Sequence, residues 1–436
     1  MNIGASGLRV YSKALSTVGD NIANAQTPGY ARRTVQMRET AAAGDIVLSR
    51  NSIRPGGVEV AGLARSVDSW LVDDARTSSG DAAQASSRLK WADAAERAIA
   101  DDGNGIGSRL TAIFNSADEL AANPASQTLR QQFLLSVEDA AATFRQTATS
   151  LSGTASAIAS EAQGEVSQCN TDLGALERVN AGLRRARAGS SNEATLLDER
   201  DRLIDSVASR LPVAASFDER GAAPLRAAGS GDPLVEGGAV ASLSLTFAGD
   251  GRLGFCLTPS GEALTPSSGS LAGLAQSADH LASLRSNFDT LAAQVSNDLN
   301  SAHQSGLDAN GNAGLALLSG TGAADLIATA LTPDDVAAAD ASSSNGNMLN
   351  FATQRGSETA WAALANAHAL HTASARAQDA AASSRYEGAS AARDAISEID
   401  LDREAADLMR YQQAYEAAAR TIQDARETMQ SVLNIF

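Results

Sequence analysis

The residues best suited to chemistry are few. His368 and His371 stand three apart in a stretch expected to be helical, the spacing at which one helix face could present a pair of metal ligands. No third ligand of suitable type stands nearby in sequence and the HExxH pattern is absent, so both read as exposed polar side chains. DANGN at 308 to 312 has the acidic, glycine-bearing look of a calcium loop. The EF-hand pattern needs Gly one place beyond Asn312 and Glu at the place of Ser319, so a polar turn is expected instead. Gly103, Gly105 and Gly107 have no strand before them and no P-loop lysine, which makes them a loop between helices. Cys169 and Cys256 form neither a metal-like spacing nor a disulfide framework and read as buried or isolated thiols. No Ser/His/Asp or Cys/His set and no glycosidase-like carboxylate pair stands out. The expectation is no enzyme, no catalytic residue, no cofactor and no metal.

What the chain does have is elements built to pair. Near the N-terminus a heptad stripe runs through Gly4, Leu8, Tyr11, Leu15, Val18 and Ile22; near the C-terminus another runs through Leu401, Leu408, Tyr415, Ile422, Met429 and Phe436. A single narrow apolar stripe cannot be buried by the helix that bears it, so each needs a partner helix. The ends are expected to find each other as a coiled coil and then to find neighbouring copies. Charge agrees: residues 1 to 40 hold Arg9, Lys13, Arg32, Arg33 and Arg38 against Asp20 and Glu39, whereas residues 400 to 436 hold seven acids against four arginines. Exposed pairs contribute only about 0.2 to 1 kcal/mol each, so charge supports the pairing without carrying it.

The 436 residues suffice for two to four domains. Aromatics make up only 4%, and alanine supplies much of the apolar content, which suits long thin bundles better than a thick core. A net charge of −17 argues against nucleic acid, which needs a concentrated basic face. No stretch approaches the ~18 to 20 apolar residues of a membrane span, and the first fifteen residues lack the apolar core of a secretory signal. Taken alone, that points to the cytosol.

Prolines draw the plan. Five of nine, Pro212, Pro224, Pro233, Pro259 and Pro266, fall between 212 and 266, while 125 to 211 and 334 to 436 have none. Proline-free, alanine-rich runs permit long helices and the proline-rich middle forbids them. Ser108 can cap a helix that Asn123-Pro124 ends. A longer one starts near Ser126 and runs through Phe133, Val137, Phe144, Leu151 and Ile158 toward Leu183. Leu281, Leu284, Phe288, Leu291, Val295 and Leu299 mark another, and 357 to 395 a further one. Alternating apolar residues on both sides of Asp250-Gly251 predict a hairpin. The fold class expected is mainly α with a small β domain, elongated and multi-domain. Its parts are a terminal coiled-coil domain (1–30 and 396–436), an extended β-hairpin connector (31–65, with Pro55 and Gly56-Gly57), a long-helix bundle (66–211 and 276–395) and an inserted small β domain (212–275).

Residues 6 to 30 read SGLRVYSKALSTVGDNIANAQTPGY. Asn21 and Asn24 can close a helix by capping or left-handed geometry. Pro28-Gly29 then suits a type II turn, and Tyr30 opens the extended segment. Through Ser6-Gly7-Leu8, Leu15, Asn21-Ile22-Ala23-Asn24 and Thr27-Pro28-Gly29-Tyr30 this stretch resembles the N-terminal signature of the bacterial flagellar rod, hook and hook-associated axial proteins. LDREAADLMRYQQAYEAAAR at 401 to 420 resembles their C-terminal signature. LLDERDRLIDSVAS at 196 to 209, GGVEVAGLARSVDSWL at 56 to 71, LAANPASQTLRQQF at 120 to 133 and DLNSAHQSGLDANGNAGLALLSG at 298 to 320 resemble the hook-filament junction branch of that family. These pieces are spread along the chain on both sides of the β insert.

The resemblance implies a structural, non-enzymatic component exported by the flagellar type III system without a cleaved signal. It would assemble outside the cell at the hook-filament junction and adapt a flexible hook to the filament. It also implies terminal helices that order on assembly. The implied partners are other copies in a ring or helical layer, hook protein below, a second junction protein above and an export chaperone on the C-terminal region. The assembly interface is expected at Leu8, Tyr11, Leu15, Val18, Ile22, Leu401, Leu408, Tyr415, Ile422, Met429 and Phe436, with Asn21, Asn24, Pro28, Gly29 and Tyr30 as the turn and connector. Other readings are a hook or distal-rod protein, favoured by Thr27-Pro28-Gly29-Tyr30, and a secreted coiled-coil adhesin or enzyme.

Overall fold

The computed structural model describes residues 2–40 and 56–434, so Pro55 and Phe436 lie outside the described residues. The chain is mainly α with small antiparallel sheets, and it divides into two compact units. One, the terminal unit, takes Met1–Asp81, Gln168–Ser242 and Ser383–Phe436; the other, the helical unit, takes Ala82–Ser167 and Leu243–Ala382. In sequence the chain passes between them inside three helices, α2 (Ser69–Ala98), α4 (Gln127–Arg185) and α8 (Gly356–Ser397), and again just after Ser242.

The terminal unit opens with α1 (Asn2–Ala23) and an antiparallel hairpin, β1 (Arg33–Thr40) and β2 (Gly57–Arg65), whose register shifts between Gln36 and Met37. It adds α5 (Ser191–Ala208) and closes with α9 (Leu401–Leu433). Each of these two helices has a built start. Ser190 accepts from the Glu193 amide at 3.1 Å while the Glu193 carboxylate accepts from the Gly189 amide at 2.6 Å; Asp400 accepts from the amides of Asp402 and Arg403. Such caps satisfy amides that the first turn cannot pair internally. The α5 face Leu203, Ile204 and Val207 is buried, as are Leu173, Leu176 and Leu183 of α4. A glycine contact joins β2 to the loop before α5: the Leu63 amide donates to the Gly189 carbonyl at 3.1 Å. Gly189 sits at φ +73°, where an added Cβ would stand 2.6 Å from the Gly62 Cα. Only glycine tolerates both demands.

The stretch 212–275, expected as one small β domain, forms two sheets. β3 (Val213–Ala215), β4 (Leu225–Ala227), β5 (Pro233–Glu236) and β6 (Ala239–Val240) make a four-stranded meander in the terminal unit. Asn180 on α4 holds it by donating to the Ala223 carbonyl at 3.0 Å and accepting from the Ala223 amide at 2.8 Å. β7 (Ser242–Phe247), β8 (Leu253–Thr258) and β9 (Ala263–Leu264) make a second sheet, with the expected Asp250-Gly251 turn between β7 and β8 and Gly251 at φ +93°.

In the helical unit, α3 (Ile106–Ala122) ends at Asn123 as expected but starts at Gly105 rather than at a Ser108 cap. Asp101 instead accepts from the Ser108 hydroxyl at 3.0 Å. α6 (Gly269–Gln304) buries Leu281, Leu284, Phe288, Leu291, Val295 and Leu299, the face its spacing predicts. A short two-stranded sheet, β10 (Leu318–Ser319) with β11 (Ile327–Ala328), precedes α7 (Gly346–Thr353). Aromatic rings fill the interior. Phe351 meets Phe133 edge-on at 5.3 Å and Phe114 at 6.0 Å, and Phe288 lies between Phe144 at 5.3 Å and Trp361 at 6.3 Å.

Candidate assembly interface

α1 and α9 pair within the terminal unit in antiparallel sense: Asn21 reaches Glu404 at one end and Gly4 lies against Ile422 at the other. The approach is close because small residues line it. A Cβ on Gly4 would stand 2.6 Å from Ile422 Cγ1, and one on Gly7 would touch the Ala418 Cβ at 3.4 Å. The row on α1 buried most completely is Gly7, Val10, Ala14, Thr17 and Asn21, one residue before the expected stripe. One residue is a turn of about 100° around the axis. Of the expected residues Gly4 and Val18 are buried, Leu8, Tyr11 and Leu15 half-buried, and Ile22 is exposed. On α9, Leu408 and Ile422 are half-buried, while Leu401, Tyr415 and Met429 are 55%, 39% and 57% exposed. The closest approach thus uses Gly4, Gly7 and Ala418, while Leu401, Tyr415 and Met429 of α9 stay exposed.

The charged end of this joint fixes its register. The Glu404 carboxylate, fully buried, accepts from Arg32 Nε at 2.6 Å and from Asn21 Nδ2 at 3.0 Å, while Arg32 Nη2 donates to Asp407 at 3.1 Å. Asn21 does not cap α1 as expected. Its amide nitrogen also donates to the Arg33 carbonyl at 2.9 Å, and its oxygen accepts from the Arg33 amide and the Tyr30 hydroxyl, both at 3.1 Å. Asn24 does close the helix, donating from its side chain to the Asp20 carbonyl at 2.8 Å. Pro28-Gly29 turns the chain with Gly29 at φ +79° and a Tyr30-to-Thr27 backbone bond of 3.2 Å, the geometry predicted. Burial pushes the Tyr30 phenol up to about 12, against the opposing pull of Arg33, whose guanidinium lies 4.4 Å from the ring centre.

A second group ties the hairpin to α5. Asp198 accepts from Arg33 at 2.5 Å and from Arg65 at 2.7 Å; Arg65 also reaches Asp201 at 2.7 Å. Beyond it Asp205 accepts from Arg76 Nε at 2.8 Å, and burial, outweighing Arg76, raises its carboxyl. A cleft of about 510 Å³ borders the Thr27–Tyr30 turn, lined among others by Arg65, Asp201, Asp205 and Arg393. Buried pairs of this kind contribute little net stability, but removing one partner strands the other, which makes them suited to setting one arrangement.

None of Arg32, Arg33, Arg65, Asp198, Asp201 and Glu404 is among the expected site residues. A signal for them existed: each lies in or beside a stretch that carries the family resemblance. Four distant stretches, 6–30, 56–71, 196–209 and 401–420, meet at or beside this joint. The described residues contain no group of three or more His, Cys, Asp or Glu arranged to hold a metal ion, and no helix among them is long and apolar enough to cross a membrane.

Comparison with known proteins agrees with that convergence. Residues 92–318 match the helical domain of flagellar hook-associated protein FlgK, residues 1–30 the flagella basal body rod proteins, and residues 394–435 the C-terminal region of the flagellar basal body rod proteins FlgEFG. Flagellar hook-associated protein 1 of Salmonella typhimurium is 26% identical over 329 residues, covering 72% of this chain; the chain spans 58% of that relative's length. Flagellar hook-associated protein 1 of Bacillus subtilis is 24% identical, with 98% of this chain and 96% of the relative covered. The flagellar hook junction protein FlgK of Burkholderia pseudomallei has a similar fold, with a TM-score of 0.50 and 20% identity over 56% of this chain and 46% of that one.

Proposed function

The chain belongs to the flagellar hook-associated protein FlgK family, and from that premise we propose that it is a structural adaptor joining hook to filament. Copies assemble as a ring or short helical layer. The terminal helices form the axial contacts, with hook protein on one side and a second junction protein on the other. Export runs through the flagellar type III system, the final location is extracellular, and a chaperone holds the C-terminal region beforehand. The role is mechanical and no catalysis is involved.

The observation that carries this reading is the open face of the terminal pair. Leu401, Tyr415 and Met429 remain exposed after α1 and α9 have docked, together with Met409 at 58% and Leu433 at 69%. A row of large apolar side chains along one mostly solvent-exposed helix favours coverage by another molecule. A pair whose closest approach is at Gly4, Gly7 and Ala418 leaves these α9 residues for that contact.

Deleting the gene tests the assignment: complete hooks with filament protein shed into the medium are expected, and a cell without hooks would favour the hook or rod reading. For the surface, Tyr415→Asp and Met429→Asp should leave the monomer's thermal midpoint unchanged and stop its incorporation at the hook tip. Incorporation at the wild-type level would refute the assigned interface.

A further inference from the structure

The chain has four histidines, and three of them meet inside the helical unit. His368 and His371 of α8, expected to be exposed, are joined by His280 of α6, and His368 is only 2% exposed. His280 Nε2 and His368 Nδ1 are 3.0 Å apart, and the His280 and His371 rings stack in parallel with centres 3.6 Å apart. His368 Nε2 lies 3.2 Å from the Ala92 carbonyl of α2. A carbonyl only accepts, so His368 carries its hydrogen on Nε2 and presents a lone pair at Nδ1; His280 must then donate from Nε2. The chain of bonds from α2 through α8 to α6 is therefore complete with both rings neutral.

One added proton can be shared, His368 then donating from Nδ1 to a His280 that carries its own hydrogen on Nδ1, but protonation of both rings sets two N–H groups 3.0 Å apart and breaks that bond. A proton on both His280 and His371 would set two cations face to face. The surroundings do little to receive them. From α2, Arg88 adds positive charge beside His280 and His371, and Glu96 is near His368 but already pairs with Arg376 of α8 at 3.5 Å.

We propose that His280, His368 and His371 are an acid-sensitive fastener: neutral, they tie α6 and α8 to α2, and protonated, they drive the three helices apart. Burial lowers all three histidines and takes His280 to about 4. An unfolded histidine titrates near 6.5. In the window between, the unfolded chain binds more protons than the folded one, so stability is whole above about 6.5 and drains as pH falls toward about 4.

The full-length chain gives the test. Its four histidine ring resonances, followed by NMR from pH 7.5 to 4, should show the three cluster members titrating below 6.5, with the thermal midpoint falling through the same window. His280→Gln keeps a donor to His368 Nδ1 but cannot ionise. It should hold its stability near pH 7 and lose on the order of tenfold to fiftyfold less of its folding equilibrium constant than wild type by pH 4.5. His280→Ala, lacking the donor, should be weaker already at pH 7. Cluster resonances titrating near 6.5, or a His280→Gln pH profile superimposable on wild type, would overturn the fastener.

Discussion

The interior of the helical unit and the joint of the terminal unit are held by opposite means. Around Phe288 and Phe351, large rings pack mainly against one another, and their burial favours the fold. At the terminal joint the contacts are glycine to isoleucine, arginine to glutamate and asparagine to backbone, while Leu401, Met409, Tyr415, Met429 and Leu433 of α9 stay exposed. An aromatic interior is complete in one molecule. The joint is specified in one molecule but left apolar on its open side, as suits a part that other copies would finish.

The largest effect should come from emptying the aromatic interior. Phe288→Ala removes a ring that is 1% exposed and touches both Phe144 and Trp361, and should cost about 3 to 5 kcal/mol. Urea unfolding measures the loss, and hydrogen exchange should quicken most in α6. A loss under about 1 kcal/mol would break the contrast, because that interior would then not be closely packed.

Next is Glu404→Gln, which keeps the shape but takes the charge from Arg32. Loss of the charge-assisted bonds should cost about 1.5 to 3 kcal/mol, read as faster amide exchange along α1 and α9. If exchange in both helices stays at the wild-type rate, the joint is not pinned by this carboxylate.

These two sites also mark what was legible in the sequence. Phe288 was readable because a one-sided apolar face at spacings of three and four has one physical meaning, burial. The helix ending at Asn123-Pro124 and the Asp250-Gly251 hairpin were readable for the same kind of reason, since local backbone preferences decide them. Glu404 lies in a family signature, but its burial and its partner are not legible there, because a charged residue in a helix reads as solvated unless its partner is known, and Arg32 lies hundreds of residues away. His280 escaped likewise: its neighbours on α8 become neighbours only after folding. On α1 the expected stripe supplies Gly4 against Ile422 and a buried Val18, but the most buried row runs one residue earlier through the small Gly7 and Ala14, which apolar size does not announce, and Ile22 stays exposed. Some of the Ser- and Ala-rich helices, α2 above all, carry too little apolar periodicity to announce a face.

Gly7→Leu sharpens that last point. An added Cβ alone would already rest 3.4 Å from the Ala418 Cβ, so a full side chain must push α9 away, at about 1 to 3 kcal/mol. Circular dichroism should show helix content largely kept, and a cross-link between α1 and α9 should form less readily. Unchanged cross-linking would mean that the pair does not depend on close approach.

The smallest effect on the isolated molecule should be the most telling one. Leu401 is 55% exposed at the first turn of α9, one residue after the Asp400 cap, so Leu401→Asp removes little buried area. An added carboxylate at a helix N-terminus is mildly favourable as well, which brings the expected change within about 0.5 kcal/mol. The same change places a charge in the face assigned to neighbouring copies, where it would be desolvated without a partner. Stability measured by urea should therefore be unmoved while incorporation at the hook tip falls sharply. Glu404→Gln should do the reverse in order, loosening the monomer first and harming assembly only as a consequence. If both variants assemble in proportion to their monomer stability, the open face has no role of its own, and the contrast between a finished interior and an unfinished surface disappears.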